Sequence, residues 1–372
     1  MARQLSGRGH EILLALSENY AVTFILEFVS QHIVYPDPPG ISGMLDDYAA
    51  ISSVDDFAGL MHWLDIRWQH QVLDVVEPFV SNPPPDCILS DFCLPAAMLA
   101  MSLRVPHHMF AAWPLDPAFP GNSHSGADHE LVVPWSRNII NARAGLASHL
   151  FAAADRIIVP GISRYDPIKS HWDVHYVGCL DSSELLVSHN SCVPPQTGGR
   201  NIFVYLSASD LDYGRFVVDL VQAACRTDAD VLISWGGMAE RFGLPVGQLS
   251  SRVRSTDYVD SRLAMDWANG VVFHGGQNTL MQALSKGLPV AAIPLESDER
   301  RWNSNRAKGD GAGIVLEREN LKADGLIAAL SRLLDDHTLA TAARLTAAEV
   351  GLLGGAASAS DGIEQYGSIV RQ

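Results

Sequence analysis

A histidine followed by two glycines and a polar turn can hold an anion. In this chain the pattern is His274-Gly275-Gly276, set between the apolar run Gly270–Phe273 and Gln277-Asn278-Thr279. Glycines let a ligand approach the main chain, and the first N–H groups of a helix opening near Gln277 would point at it, backed by the positive end of the helix dipole. A phosphate suits that arrangement. A tight strand-to-helix turn with no ligand suits the same residues, so the pattern by itself leaves both readings open.

Other polar residues also stand where chemistry could use them. Asp91 ends the short apolar stretch Cys87–Asp91, and the polar loop 121–130 holds His124, Asp128 and His129. Loops at the carboxyl ends of parallel strands line the crevice of open α/β sheets, although solvated loop residues are the commoner case. Ser207 and Ser209 lie in a small polar turn. The five cysteines are scattered and odd in number, without paired metal spacing, so free thiols are expected and no disulfide framework or zinc site.

The elements that must position these residues alternate between buried strands and helices. The first ten residues read as the last turns of a helix with a glycine stop, followed by a strand at 12–16 and an apolar run, Ala21–Phe28. Helical spacing over Val54–Phe79, rich in Trp63, Leu64, Trp68 and Val72, predicts packing helices with no binding role. Strands are predicted at 87–91, 106–112, 156–159 and 174–178, with helices at 94–103 and 138–153. Residues 181–200, with Pro194-Pro195, read as a linker. The pattern then repeats: strands at 201–206, 231–235, 270–273 and 314–316, helices at 215–226 and 321–334, and a small-residue tail helix. Alternation of this kind predicts an α/β fold with two doubly wound parallel sheets.

Length and composition agree with two globular domains. The chain has 372 residues, 47% apolar and 18% charged. A formal charge of -16 disfavours nucleic acid or an anionic membrane as a partner. With no basic leader ahead of an apolar core and no uncharged run of spanning length, a cytoplasmic protein is expected.

An ordered set of residues resembles the nucleotide-sugar signature of the GT-B fold glycosyltransferase superfamily, in its natural-product branch. It runs through Tyr258-Val259, Leu263, Gly270–Thr279, Ala283-Leu284, Gly287–Val290, Pro294-Leu295, Asp298-Glu299, Asn303 and Gly311-Ala-Gly313. Arg8-Gly-His-Glu11, Asp91 and Asp155–Pro160 resemble the acceptor-binding half more loosely. The resemblance implies two Rossmann-like domains facing across a cleft. They would be an acceptor-binding domain at 1–180 that lacks the family's first strand, a linker at 181–200, a donor domain at 201–355, and a tail at 356–372 crossing back to the first domain.

The resemblance also implies roles. His274, Gly275, Gly276, Gln277, Asn278 and Thr279 would hold the donor's diphosphate, with Ser207 and Ser209 bordering it. Tyr258 and Val259 would lie beside the base, and Asp298 and Glu299 would face the sugar hydroxyls. Gln282 stands where most relatives carry a glutamate for the ribose, which keeps a dTDP-sugar as open as a UDP-sugar. Transfer to a hydroxyl of a small hydrophobic acceptor, with inversion, would need no obligatory metal ion or cofactor, because helix N–H groups stabilise the leaving diphosphate. Asp210-Leu-Asp212 matches a metal-binding D-x-D pattern but falls after a strand, where a helix cap is expected.

In relatives the histidine that deprotonates the acceptor follows the first strand, ahead of the position of Met1. Three readings follow: a start placed too late, a replacement base from His124 or His129 oriented by Asp91, or a relative that binds nucleotide sugar or aglycone with little or no turnover, as an auxiliary to an active transferase. His10 lies at the wrong end of its unit to substitute. An epimerase on the same fold is a weaker reading, and a homodimer is a possible assembly.

Overall fold

The computed structural model describes residues 1–18, 29–38, 65–91, 93–116, 118–119, 154–180, 199–206, 211–295 and 297–370. The apolar run Ala21–Phe28, Trp63 and Leu64, the loop with His124, Asp128 and His129, the helix expected at 138–153, nearly all of 181–200, and Ser207, Ser209 and Asp210 lie outside them. The chain divides into two compact units, Met1–Leu180 with Leu353–Gln372, and Asp181–Leu352.

The first unit opens with α1 (Ala2–Gly7), which ends before Gly9 in the left-handed region at φ 94°. Strand β1 (Leu13–Ser17) pairs in parallel with β2 (Gln31–Tyr35). Helix α2 (Ile66–Val80) starts at Asp65, whose side chain accepts from the Arg67 N–H. Its Trp68, Val72, Val76 and Val80 recur one turn apart and pack with Ile33 and Leu99, the helical periodicity read from the sequence. The Trp68 indole N–H donates to the Pro36 carbonyl at 2.8 Å, which satisfies its polar end.

Strands β3 (Ile88–Asp91), β4 (His107–Phe110), β5 (Arg156–Val159) and β6 (Val174–Tyr176) form a parallel sheet in sequence order. Helix α3 (Leu94–Leu103) connects the first two and ends at Arg104, φ 58°. β4 is shorter than the 106–112 run suggested, because Trp113–Leu115 turns into a 3-10 helix after it.

The second unit is built on β7 (Asn201–Tyr205), β8 (Asp230–Ser234), β9 (Gly247–Gln248), β10 (Val253–Thr256), β11 (Gly270–Phe273), β12 (Val290–Ala292) and β13 (Gly313–Val315). Their spatial order is β13-β12-β11-β7-β8-β10-β9. All neighbours are parallel except the short β9, which pairs antiparallel with β10 at the edge and carries no hydrophobic alternation that would announce it.

Helices α4 (Tyr213–Thr227), α5 (Ser261–Trp267), α6 (Gln277–Ser285), α7 (Asp298–Gly309), α8 (Ala323–Asp335) and α9 (His337–Leu352) accompany that sheet. Asp212 caps α4, its carboxylate accepting from the Arg215 N–H at 2.9 Å, as its place after β7 suggested. The sheet's core residues Ile202, Val204, Val231, Ile233, Val253 and Val272 are at most 2% exposed. Strands buried on both faces explain the near-continuous apolar runs.

The chain returns to the first unit as α10 (Gly355–Val370). Arg8 bonds Asp361 and Glu364, His10 Nε2 lies 2.7 Å from Glu364 Oε1, and Arg156 donates to the Gly362 carbonyl at 2.6 Å. No helix among the described residues is long and apolar enough to cross a membrane.

Candidate functional site

Counting the six parallel strands of the second unit from β7, their order across the sheet is 6-5-4-1-2-3. This is the dinucleotide-binding order, and it reverses direction between β7 and β11. Ligands of open α/β sheets bind outside the carboxyl ends of the strands at such a switch point. Here those ends carry Tyr205 and His274.

The local sequence explains why His274 is held there. β11 is fully buried, so the chain must leave the sheet sharply after Phe273. Gly275 makes the turn at φ 96°, and a Cβ on it would lie 2.9 Å from both Cβ and the carbonyl oxygen of Arg300. Gly276 has an ordinary φ of -67° as the N-cap of α6, yet a Cβ there would stand 2.5 Å from His274 Nε2. The imidazole therefore lies over Gly276 at the start of α6. Gly276, as the N-cap, has no side chain to cap that helix end.

Several groups fix the charge of this corner. Burial lowers the His274 pKa to about 3, and the positive charge of Arg300 adds to the effect, opposed by a backbone contact with Tyr205. Its Nδ1 is buried without a hydrogen bond of good geometry. His274 is thus a neutral imidazole at neutral pH. The Tyr205 ring lies 5.5 Å from it and presses on the turn after β8, where a Cβ at Gly236 would come within 3.1 Å of the phenol.

Glu299 approaches from α7. Burial raises its pKa, against Arg300, the Gln277 backbone N–H and the Asn303 side chain, which all favour the carboxylate. Asn303 Nδ2 donates to Glu299 Oε1 at 3.3 Å and to the Gly275 carbonyl at 3.1 Å. The glycine turn and the acidic side chain are therefore tied through one amide.

Of the residues expected in the donor site, His274, Gly275, Gly276, Gln277 and Glu299 come together at the α6 N-terminus. Asn278 is exposed and Thr279 buried in the first turn of α6, and half-buried Gln282 lies further along the helix. Asp298 is exposed at the start of α7. Tyr258 and Val259 follow β10; Tyr258 is 38% exposed and Val259 4%. The Tyr258 phenol is raised by burial and by nearby Asp260 and Tyr205, so Tyr205 links it to the His274 corner.

Asp91 lies in the other unit, at the carboxyl end of β3. Although the residue retains surface exposure, partial desolvation of its carboxyl raises its pKa. Tyr205 and Arg300 were not singled out from the sequence. Tyr205 carried one usable signal, its place as the last residue of the first strand of the unit; Arg300 carried none, since its role depends on α7 folding back over Gly275.

Comparison with known proteins agrees with this architecture. Residues 218–351 match the family described as erythromycin biosynthesis protein CIII-like, C-terminal domain. An uncharacterized glycosyltransferase of Methanopyrus kandleri is 23% identical over 223 residues, 55% of this chain and 60% of its own length. A PGL/p-HBAD biosynthesis glycosyltransferase of Mycobacterium tuberculosis is 33% identical over 95 residues, 26% of this chain and 22% of its own. The chain thus spans less than two thirds of these curated relatives.

Among solved structures, the calicheamicin glycosyltransferase CalG4 superposes with a TM-score of 0.71 at 18% identity, covering 98% of this chain and 93% of that one. The spinosyn rhamnosyltransferase SpnG complexed with thymidine diphosphate gives 0.68 at 16% identity, covering 97% and 94%. At such identities the likeness is one of fold. The chain thus shares the GT-B fold of these natural-product glycosyltransferases, and residues 218–351 match the C-terminal domain of an erythromycin-biosynthesis family.

Proposed function

We propose that the protein transfers a sugar from a nucleoside diphosphate sugar, uridine- or thymidine-linked, to a hydroxyl of a small hydrophobic acceptor, with inversion. The observation that carries this reading is the neutral His274 lying over Gly276 at the N-terminus of α6, at the strand-order reversal of the second unit. Negative charge grows on the diphosphate as the glycosidic bond breaks. Fixed N–H donors of α6, the dipole behind them and a neutral imidazole stabilise that charge in place, so the step asks for no divalent ion.

A neutral histidine suits the task because it donates a hydrogen bond without needing to change protonation state. The thymidine diphosphate held by the spinosyn enzyme of the same fold supports a nucleoside diphosphate ligand. In this reading Tyr258 and Val259 border the base, Gln282 the ribose, and Asp298 and Glu299 the sugar. Ser207 and Ser209 complete the diphosphate site, and Asp91 with His124 or His129 serves the acceptor hydroxyl.

Titration calorimetry with uridine and thymidine diphosphates tests it. Wild-type protein is expected to bind one of them, and His274→Ala to weaken that binding about tenfold or more, equal to at least about 1.4 kcal/mol. Unchanged affinity in the variant would remove His274 from the site, and no binding of either nucleotide by the wild type would overturn the donor assignment.

A further inference from the structure

The inference concerns the regulation of the same site and rests on the diphosphate reading above. Among the described residues, the α6 N-terminus already faces an anion of the protein's own. The Glu299 carboxylate takes the N–H of Gln277, the first residue of α6. Asn303, 1% exposed, holds that carboxylate at 3.3 Å while gripping the Gly275 carbonyl at 3.1 Å. Glu299 is thereby fixed at the spot where the α6 dipole favours negative charge.

A diphosphate arriving there meets a like charge in a half-buried setting. Two anions sharing such a site favour uptake of a proton by one of them. We propose that binding of the donor's diphosphate is coupled to protonation of Glu299, which changes from an acceptor on the Gln277 amide into an O–H donor beside the ligand. The proton comes from solvent to a carboxylate oxygen, and no covalent bond is made or broken.

The surroundings select Glu299 as the group that titrates. Burial already pushes its pKa up, so an added anion moves it further in the same direction. Arg300, on its own helix, stays charged. His274 on the glycine turn starts from about 3, far below neutral pH. The Tyr205 phenol on β7 is raised and remains neutral. Asp298, one residue earlier, is exposed and keeps its solvent shell.

The test is titration calorimetry of uridine diphosphate, with thymidine diphosphate in parallel, at pH 8 in buffers of differing ionisation enthalpy. At that pH the terminal phosphate of the free nucleotide is already ionised. The wild type is expected to take up protons as the nucleotide binds, and its affinity to fall as the pH is raised. Glu299→Gln is expected to take up none and to lose that pH dependence. Binding by the wild type without proton uptake, or uptake retained in Glu299→Gln, overturns the inference while leaving the donor site standing. Absence of binding by both proteins overturns the donor reading instead. Should Glu299→Gln fail to fold, the wild-type buffer series decides alone.

Discussion

At residue scale, the neighbouring glycines of the turn are required for different reasons, and this separates folding from binding. Gly275 combines φ 96° with the carbonyl oxygen and Cβ of Arg300 2.9 Å from any added Cβ, and neither can relax cheaply. Gly275→Ala should therefore lower stability by about 1–3 kcal/mol, read as a lower thermal midpoint. Gly276 has a φ of -67° that alanine adopts freely, and the atom in the way is the His274 ring. Gly276→Ala should keep the thermal midpoint and weaken nucleoside diphosphate binding, because the imidazole is pushed off its position. An equal loss of stability in both variants would refute this division. The sequence shows two consecutive glycines; only the folded chain shows that one answers to the backbone and the other to a side chain two residues earlier.

At the scale of elements, helix ends were legible because their signals are local. Asp212 was read as a cap, and its carboxylate does accept from the Arg215 N–H. Asp212→Ala should cost about 1 kcal/mol of stability, measured by urea unfolding, with turnover retained and no change in metal dependence. Loss of turnover together with a metal requirement would instead restore the D-x-D reading. The same locality made α3 and β5 readable to the residue: Leu94–Leu103 lies between Cys93 and the left-handed Arg104, and Arg156–Val159 is stopped by Pro160. β9 was not readable, since its two residues pair at a sheet edge with no pattern of their own. Nor was the placement of Tyr205 against His274, which needs β7 and β11 to be neighbours although about 65 residues separate them.

For the whole molecule, the buried histidines of the first unit contribute to its response to acid, as His274 does in the second. His107 and His108, 3% and 0% exposed, have pKa values lowered to about 4. Burial is the main cause in both; His108 adds repulsion for His107, and Arg156 adds it for His108. His175, at the α10 contact, is lowered for the same reasons as His108. The unfolded chain takes up these protons near pH 6.5, whereas the folded one refuses them until about pH 4. Stability is thus fully present above about pH 6.5 and is lost as pH falls toward 4, by up to about 3 kcal/mol per buried histidine. Urea midpoints at pH 7.5 and 5 should show the drop. Both ring nitrogens of His108 are buried without hydrogen-bond partners, and its ring stands edge-on to Tyr366 of α10 at 4.8 Å. His108→Phe should accordingly flatten the pH dependence and not destabilise at pH 7.5; an unchanged slope would exclude His108 as a contributor.

The sequence by itself determined the alternation of strands and helices, the glycine and proline stops, the α4 cap, and the strand–turn–helix unit around His274. Each follows from burial period, backbone freedom or capping within a few residues along the chain. Only the tertiary structure decided which strands adjoin, and so that His274 and Tyr205 meet at a reversal of strand order, that Glu299 faces the Gln277 amide, and through which residues, Arg8, Arg156 and Gly362, α10 packs in the first unit. These contacts join residues from 22 to more than 350 positions apart. Local pattern carries no information about such pairings, because burying one hydrophobic face against another is satisfied by many partners until the whole chain packs.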